Sequence, residues 1–155
     1  MKTLILVRHA KSSWDSPALQ DFERPLNDRG KRDAPDMANR LKEKGLKIDA
    51  LVSSPAKRAK KTARLFASEL KRDKEDIVYI ENLYGADVAT LQQVISGLPD
   101  KYETVALFAH NPGLTDFANT LTGVRIDNLP TSGMYAVQAE TNKWSTFADS
   151  NKNFL

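Results

Sequence analysis

Residues 3–9 read Thr-Leu-Ile-Leu-Val-Arg-His, and residues 104–110 read Thr-Val-Ala-Leu-Phe-Ala-His. Each is an apolar run that leads to a histidine, the first by way of Arg8. A run that is apolar at every position, rather than at alternate ones, predicts a strand covered on both faces, as in a parallel sheet. In open α/β sheets, ligands bind beyond the carboxyl ends of the strands. The two runs therefore predict the sheet and place the chain's only two imidazoles at its functional edge.

Working outward, residues 8–26 read as a loop rich in Ser, Asp and Pro. A helix is expected from Asn27 or Asp28 to Gly45, kinked or restarted near Asp33–Pro35 by the proline. Asp49–Ser53 reads as a strand. Ser54 is expected to cap the next helix, with Pro55 in its first position. Ala59, Thr62, Ala63, Phe66 and Leu70 form that helix's apolar stripe. Ile77–Ile80 reads as a short strand, Val88–Ser96 as a helix and Thr104–Ala109 as a strand. Asn111 is expected to cap a helix with Pro112 first, ending near Gly123. Met134–Ala139 and Trp144–Phe147 read as a closing strand pair. The alternation predicts a three-layer α/β/α fold with a mostly parallel central sheet.

Composition narrows the function. At 155 residues, 41% hydrophobic and 28% charged, one domain over residues 1–155 is expected. No cysteine is present, which excludes a disulfide framework, a Cys-type zinc site, an iron–sulfur cluster and a cysteine nucleophile. Two histidines make a His-rich metal site unexpected. The net charge of +3 suggests an anionic ligand more than nucleic acid, where a concentrated basic stripe is expected. No segment approaches the roughly 18 apolar residues of a membrane span, and none reads as a signal peptide. A cytoplasmic protein without membrane or nucleic-acid partners is the expectation.

The chemistry rests on Arg8, His9, Arg58 and His110. Taken singly, a histidine at a strand end is usually a hydrogen-bonded structural residue, and an arginine near a helix start is usually solvated. Jointly, three strand ends would deliver two imidazoles and two guanidiniums to one rim. Helix N-termini and arginine forks bind phosphate. Flanking cations keep an imidazole neutral and nucleophilic, and fixed positive donors stabilise a transferring phosphoryl group without a metal or cofactor. The Walker, dinucleotide, G-x-S-x-G and H-E-x-x-H motifs are absent.

Several motifs resemble one family, in order along nearly the whole chain. Leu6-Val7-Arg8-His9-Ala10 resembles the Arg-His-Gly signature of the histidine phosphatase superfamily, which has the phosphoglycerate mutase-like fold. Ser53-Ser54-Pro55-Ala56-Lys57-Arg58-Ala59-Lys60-Lys61-Thr62-Ala63 is similar to its S-P-x-x-R-A-x-x-T-A motif. Arg24-Pro25-Leu26-Asn27-Asp28-Arg29-Gly30, Ala109-His110-Asn111-Pro112 and Thr131-Ser132-Gly133 resemble its remaining segments. The short length and the His-x-Pro form look most like the SixA-type phosphohistidine phosphatases.

The resemblance implies that His9 is the nucleophile, that Arg8, Arg58 and His110 hold the phosphoryl group, and that Arg24 and Asn111 also contact phosphate. Ala10 departs from the signature glycine and could crowd the pocket. For the proton donor, Asp87 is preferred over Glu81, although both also read as solvated loop acids; a phosphoramidate, whose leaving nitrogen can already be protonated, needs less help. The short segment between Ile80 and Tyr102 leaves little to cover the pocket, which favours phosphate carried on a protein. The expected function is a metal-independent phosphatase acting through phospho-His9 on phosphohistidine. A histidine-phosphotransfer protein is the partner that the resemblance implies. The alternatives are a general phosphomonoesterase or mutase on a small metabolite, and a phosphate-binding module. Lys57, Lys60 and Lys61 read either as a solvated helix face or as a surface for an acidic partner.

Overall fold

A computed structural model describes residues 1–155. The chain forms strands β1 (Lys2–Arg8), β2 (Ala50–Ser53), β3 (Val78–Tyr79), β4 (Thr104–Ala109), β5 (Met134–Ala139) and β6 (Lys152–Phe154). The helices are α1 (Asp28–Glu43), α2 (Lys57–Glu69), α3 (Val88–Ser96) and α4 (Gly113–Leu121). The six strands form one sheet in the order β3-β2-β4-β1-β5-β6. The β3–β2, β2–β4 and β4–β1 pairs are parallel, and β5 and β6 close the sheet antiparallel.

The apolar runs behave as doubly covered strands because alternate side chains serve opposite faces. Leu4 and Leu6 join α3 and α4 residues such as Leu91, Ile95, Leu114 and Phe117 in one core. Ile5 and Val7 join α1 and α2 residues such as Ala34, Ala38, Ala63 and Phe66 in the other. The sheet is thus the middle layer of a three-layer α/β/α sandwich.

Four local expectations are corrected. First, α1 does not restart at Asp33–Pro35 but continues through the proline. The proline forfeits one helical hydrogen bond, but the carbonyl it would have met belongs to Lys31, an exposed position, while Ala34 and Ala38 bury on both sides of it. Second, α2 begins at Lys57 after Ala56, so Ser54 is not its cap. Third, α4 begins at Gly113 with Pro112 in the capping position. Fourth, Trp144–Thr146 is a 3-10 turn and not a strand. Trp144 is fully buried, and its backbone and indole N–H groups donate to Asp100 Oδ1 (2.9 Å) and the Tyr102 carbonyl (2.8 Å). These contacts with the loop before β4 replace a ladder, and the pairing with β5 falls to the more polar β6.

Asn27 caps α1 by accepting from the Gly30 N–H at 2.9 Å. A Cβ at Gly30 would meet the Lys11 carbonyl oxygen at 2.2 Å, so only glycine lets α1 approach the segment that leaves β1. That approach seats the loop carrying residues 8–26 against the sheet edge.

Candidate active site

Strand register brings the chemistry together. Arg8 on β1 lies opposite Ala109 on β4, and Ser53 on β2 lies opposite Phe108. The chain therefore leaves three neighbouring strands at one level, with His9 beside His110 and Ser54 one step away. The two imidazole centroids are 5.3 Å apart. Arg58, in the first turn of α2, points back so that its Nε donates toward His9 Nε2 at 3.4 Å. Arg8, His9, Arg58 and His110 line one open cleft of about 520 Å³, together with Arg24, Asp21 and Tyr84 among others.

His9 has a defined tautomer. Its Nδ1 lies 2.8 Å from the Ala10 carbonyl oxygen. A carbonyl only accepts, so Nδ1 carries the hydrogen and Nε2 carries the lone pair. Burial, opposed by the Ala10 hydrogen bond but reinforced by the charges of Arg58, Arg8 and Arg24, lowers the His9 pKa to about 4. The ring is neutral near pH 7, with its nucleophilic nitrogen facing guanidinium.

The loop around His9 is held from two sides. The Ala10 N–H donates to Thr62 Oγ1 at 2.9 Å, and the Thr62 hydroxyl donates to the Arg58 carbonyl at 2.8 Å. The R-x-x-x-T spacing of α2 thus couples the arginine to the histidine loop. Opposite, the Ser132 N–H donates to the carbonyls of Arg8 and His9, and the Arg8 N–H donates to that of Gly133. Ser132 adopts φ 61°, a left-handed strain that functional loops retain when their surroundings enforce it. The Ala10 methyl belongs to the α1–α2 core and not to the cleft lining, so it does not crowd the pocket.

His110 is lowered to about 3, by burial first and then by His9 and Arg58. Its Nε2 lies 2.8 Å from Ser54 Oγ. Ser54, expected as a helix cap, is therefore a partner of His110. Arg8 donates from Nη1 to the Leu129 carbonyl at 3.0 Å. Arg8 Nε and His110 Nδ1 are buried without partners; such unmatched groups are few in native folds and each calls for a reason.

Asp21 is the residue that sequence reasoning missed. Its carboxylate accepts from Arg58 Nη2 at 3.0 Å, Arg24 Nε at 3.1 Å and the Tyr84 hydroxyl at 2.6 Å. Its carbonyl accepts from Arg58 Nη1 at 2.7 Å. The Tyr84 hydrogen bond, followed by those of the arginines, holds its pKa down to about 2 against a partial burial penalty. Loop closure makes this possible: the Ser13 N–H donates to the Pro25 carbonyl, Ser12 pairs with Leu26, and Arg24 Nη1 donates to Ser12 Oγ at 2.7 Å. Arg24 also carries Trp14 stacked on its guanidinium at 3.5 Å, with the indole 71% exposed at the cleft. A loop acid, a tyrosine in a turn and an exposed tryptophan have no local signature; only the fold juxtaposes them.

Three of the expected site residues are placed or engaged otherwise than expected. Asp87 does not line the cleft. It caps α3 by accepting from the Thr90 N–H at 2.9 Å, and that bond lowers its pKa, whereas a general acid must hold its proton. Glu81 is exposed in the 3-10 turn Glu81–Leu83 and also lies outside the cleft lining. Asn111 lines the cleft, but its amide is already occupied. Nδ2 donates to Asn128 Oδ1 and the Leu129 carbonyl, and Oδ1 accepts from the N–H and hydroxyl of Thr115. No side-chain donor remains for phosphate. Substituting Asp87→Asn, which preserves capping ability, is expected to change turnover less than about threefold. Steady-state kinetics on any accepted substrate checks this; a loss of 100-fold would restore Asp87 as the proton donor.

The buried histidines also set a pH dependence of stability. Both native pKa values lie below the ordinary 6.5. As pH falls from 6.5 toward 3, the unfolded chain takes up protons that the native chain refuses, so stability decreases. With two such groups the slope approaches roughly 2–3 kcal/mol per pH unit. Asp21 adds a smaller loss as pH drops from 3.8 toward 2. Urea midpoints measured from pH 8 to 4 should be level above 7 and fall steadily below 6.5; constant midpoints down to pH 4 would contradict neutral burial.

Comparison with known proteins fits this geometry. Residues 4–103 match the histidine phosphatase superfamily (branch 1). An uncharacterised chloroplast protein of Arabidopsis thaliana is 33% identical over 152 residues, covering 92% of this chain and 69% of its own length. A candidate phosphohistidine phosphatase, SixA of Agrobacterium tumefaciens, superposes with a TM-score of 0.81 at 28% identity, covering 89% of this chain and 92% of its own. The protein histidine phosphatase SixA solved with tungstate superposes with a TM-score of 0.82 at 22% identity, covering 99% and 94%. The fold is that of the phosphoglycerate mutase-like proteins, and the chain belongs to the histidine phosphatase superfamily.

Proposed function

We propose that this chain is a phosphohistidine phosphatase that works through a phosphoryl group carried on His9. The observation that supports this most directly is the His9 tautomer: Nδ1 is tied to the Ala10 carbonyl and the Nε2 lone pair faces Arg58 in a cleft also lined by Arg8 and Arg24. In the first step Nε2 forms a bond to phosphorus while the substrate's P–N bond breaks, and the leaving imidazole nitrogen retains or takes up a proton. In the second step water attacks phosphorus, the P–Nε2 bond breaks and orthophosphate leaves. Arg8 and Arg58 face the charge that spreads over the equatorial oxygens. Arg24 acts one layer out, since its donors go to Asp21 and Ser12.

Protein-borne phosphohistidine is favoured by the openness of the cleft and its polar lining, which includes few apolar side chains to select a small metabolite. A phosphoramidate also suits a cleft with no protonated carboxyl: Asp21 is anionic, and Asp87 and Glu81 lie outside. The SixA likeness at 28% identity supports the same reading. A histidine-phosphotransfer protein is the kind of partner it implies.

A panel of free phosphohistidine, a phosphohistidine peptide, phosphoglycerates and sugar phosphates, assayed with and without chelator, tests this. The phosphohistidine substrates should be preferred by at least tenfold in kcat/KM, and chelator should have no effect. Preference for a sugar phosphate or phosphoglycerate would replace the reading with a small-molecule phosphatase or mutase.

A further inference from the structure

Beside the cleft lies a second groove of about 410 Å³, walled by Lys31 of α1 and by Lys57, Lys60, Lys61 and Arg64 of α2, with Pro25 and Leu26 at its side. None of its lining residues is acidic, and none of its five cations belongs to an ion pair; the chain's three pairs join Arg24 and Arg58 to Asp21 and Arg29 to Asp33. The groove and the cleft draw on adjacent residues at two points of the chain: Arg24 and Arg58 line the cleft, and their neighbours Pro25 and Lys57 line the groove.

This arrangement opposes the stability of α2. Lys57, Lys60, Lys61 and Arg64 fall at i, i+3, i+4 and i+7, so like charges stack on one helix face. The first turn carries Lys57 and Arg58 and no acid, the reverse of what the helix dipole favours. Lys60 leans on the Tyr79 ring at 5.2 Å, which neutralises nothing. Cations held together against their own repulsion, with no internal counter-charge, point to an anion supplied from outside.

From this geometry we infer that the α1–α2 groove seats an acidic face of the protein that carries the phosphorylated side chain. This rests on the protein-substrate reading above and adds where the partner docks and by what charge. The groove lining offers no aromatic platform for bases, which separates it from a single-strand nucleic-acid site. Carboxylates of that face would meet lysine point charges, while the phosphorylated side chain enters the cleft that Arg58 lines.

The test compares three substrates: a phosphohistidine peptide flanked by four Asp or Glu residues, the same peptide flanked by Ser, and free phosphohistidine. Each is turned over by the wild type and by the Lys57→Glu/Lys60→Glu/Lys61→Glu variant, with circular dichroism verifying that the variant is folded. The acidic peptide should exceed the Ser peptide at least tenfold in kcat/KM at low salt, through KM. That advantage should vanish in 0.3 M NaCl and in the variant, with free phosphohistidine unchanged. Equal kinetics for the two peptides would overturn the inference, as would a variant that loses free phosphohistidine turnover. Should the wild type hydrolyse none of the three, the proposed function fails; the groove is then judged by anisotropy with the unphosphorylated acidic peptide. Saturable binding lost in the variant upholds the groove. Absence of binding, or stronger competition by a single-stranded oligonucleotide than by unlabelled acidic peptide, overturns it.

Discussion

Substituting His9→Ala is expected to abolish turnover, by a factor on the order of 10^6 in kcat as for other covalent nucleophiles, while leaving the fold intact. The ring is nearly buried, yet its one definite structural bond is local, from Nδ1 to the neighbouring Ala10 carbonyl. The loop does not depend on it, because the Ala10 N–H is held by Thr62 and the His9 carbonyl by Ser132. Removal also relieves a neutral imidazole of its burial among arginines, so the variant should match or exceed wild-type stability at pH 6 and below. In the wild type, quenching a labelled turnover should trap phosphate in a linkage stable to base and labile to acid. A linkage that survives acid and not base would exclude phosphohistidine, and retained activity in His9→Ala would end the assignment of the nucleophile.

Arg58→Ala is expected to lower kcat/KM by about 10^3, the upper range for loss of one preorganised charged donor. Its guanidinium does three things at once: Nε faces His9 Nε2, Nη2 binds the Asp21 carboxylate and Nη1 binds the Asp21 carbonyl. Arg58→Lys should recover little, because an ammonium cannot span those directions as a planar fork does. The pH profile separates its effect on the nucleophile from its effect on phosphate. In the wild type the acid limb of kcat/KM should lie near the His9 value of about 4. Loss of a cation 3.4 Å from Nε2 removes one cause of that depression, so the limb should move to higher pH in Arg58→Ala. An unmoved limb would mean that burial and the remaining arginines keep the imidazole neutral and that Arg58 serves only the phosphoryl group.

The Asp21 carboxylate gives these predictions a common physical origin. In the cleft it satisfies Arg58, Arg24 and Tyr84, as an incoming oxyanion would have to do in part. It is also half-exposed, so it holds the guanidiniums in place from the rim of the cleft.

Much of this molecule is legible in the amino-acid order because its signals are local. Consecutive apolar residues ending at His9 and His110 dictate covered parallel strands. The α2 stripe dictates which helix face is buried, and Arg58 sits one turn beyond a strand end, where a helix start must point at the site. Backbone geometry alone carries those residues to one edge. What the order of residues does not dictate is how polar side chains share partners across loops. Ser54 satisfies the rules for a helix cap, yet turns to His110. Asp87 satisfies the rules for both an acid and a cap, and the Thr90 N–H decides for the cap. Asn111 stands beside a catalytic-looking histidine, but Thr115 on the next helical turn and the distant segment Asn128–Leu129 consume its amide. Asp21 and Trp14 reach the cleft only because Ser12–Leu26 pairing folds residues 8–26 back over the strand ends. Hydrogen bonds are short-ranged and saturable, so each depends on which groups tertiary packing leaves within about 3 Å; apolar periodicity depends only on the chain's own repeat, and is therefore readable before folding.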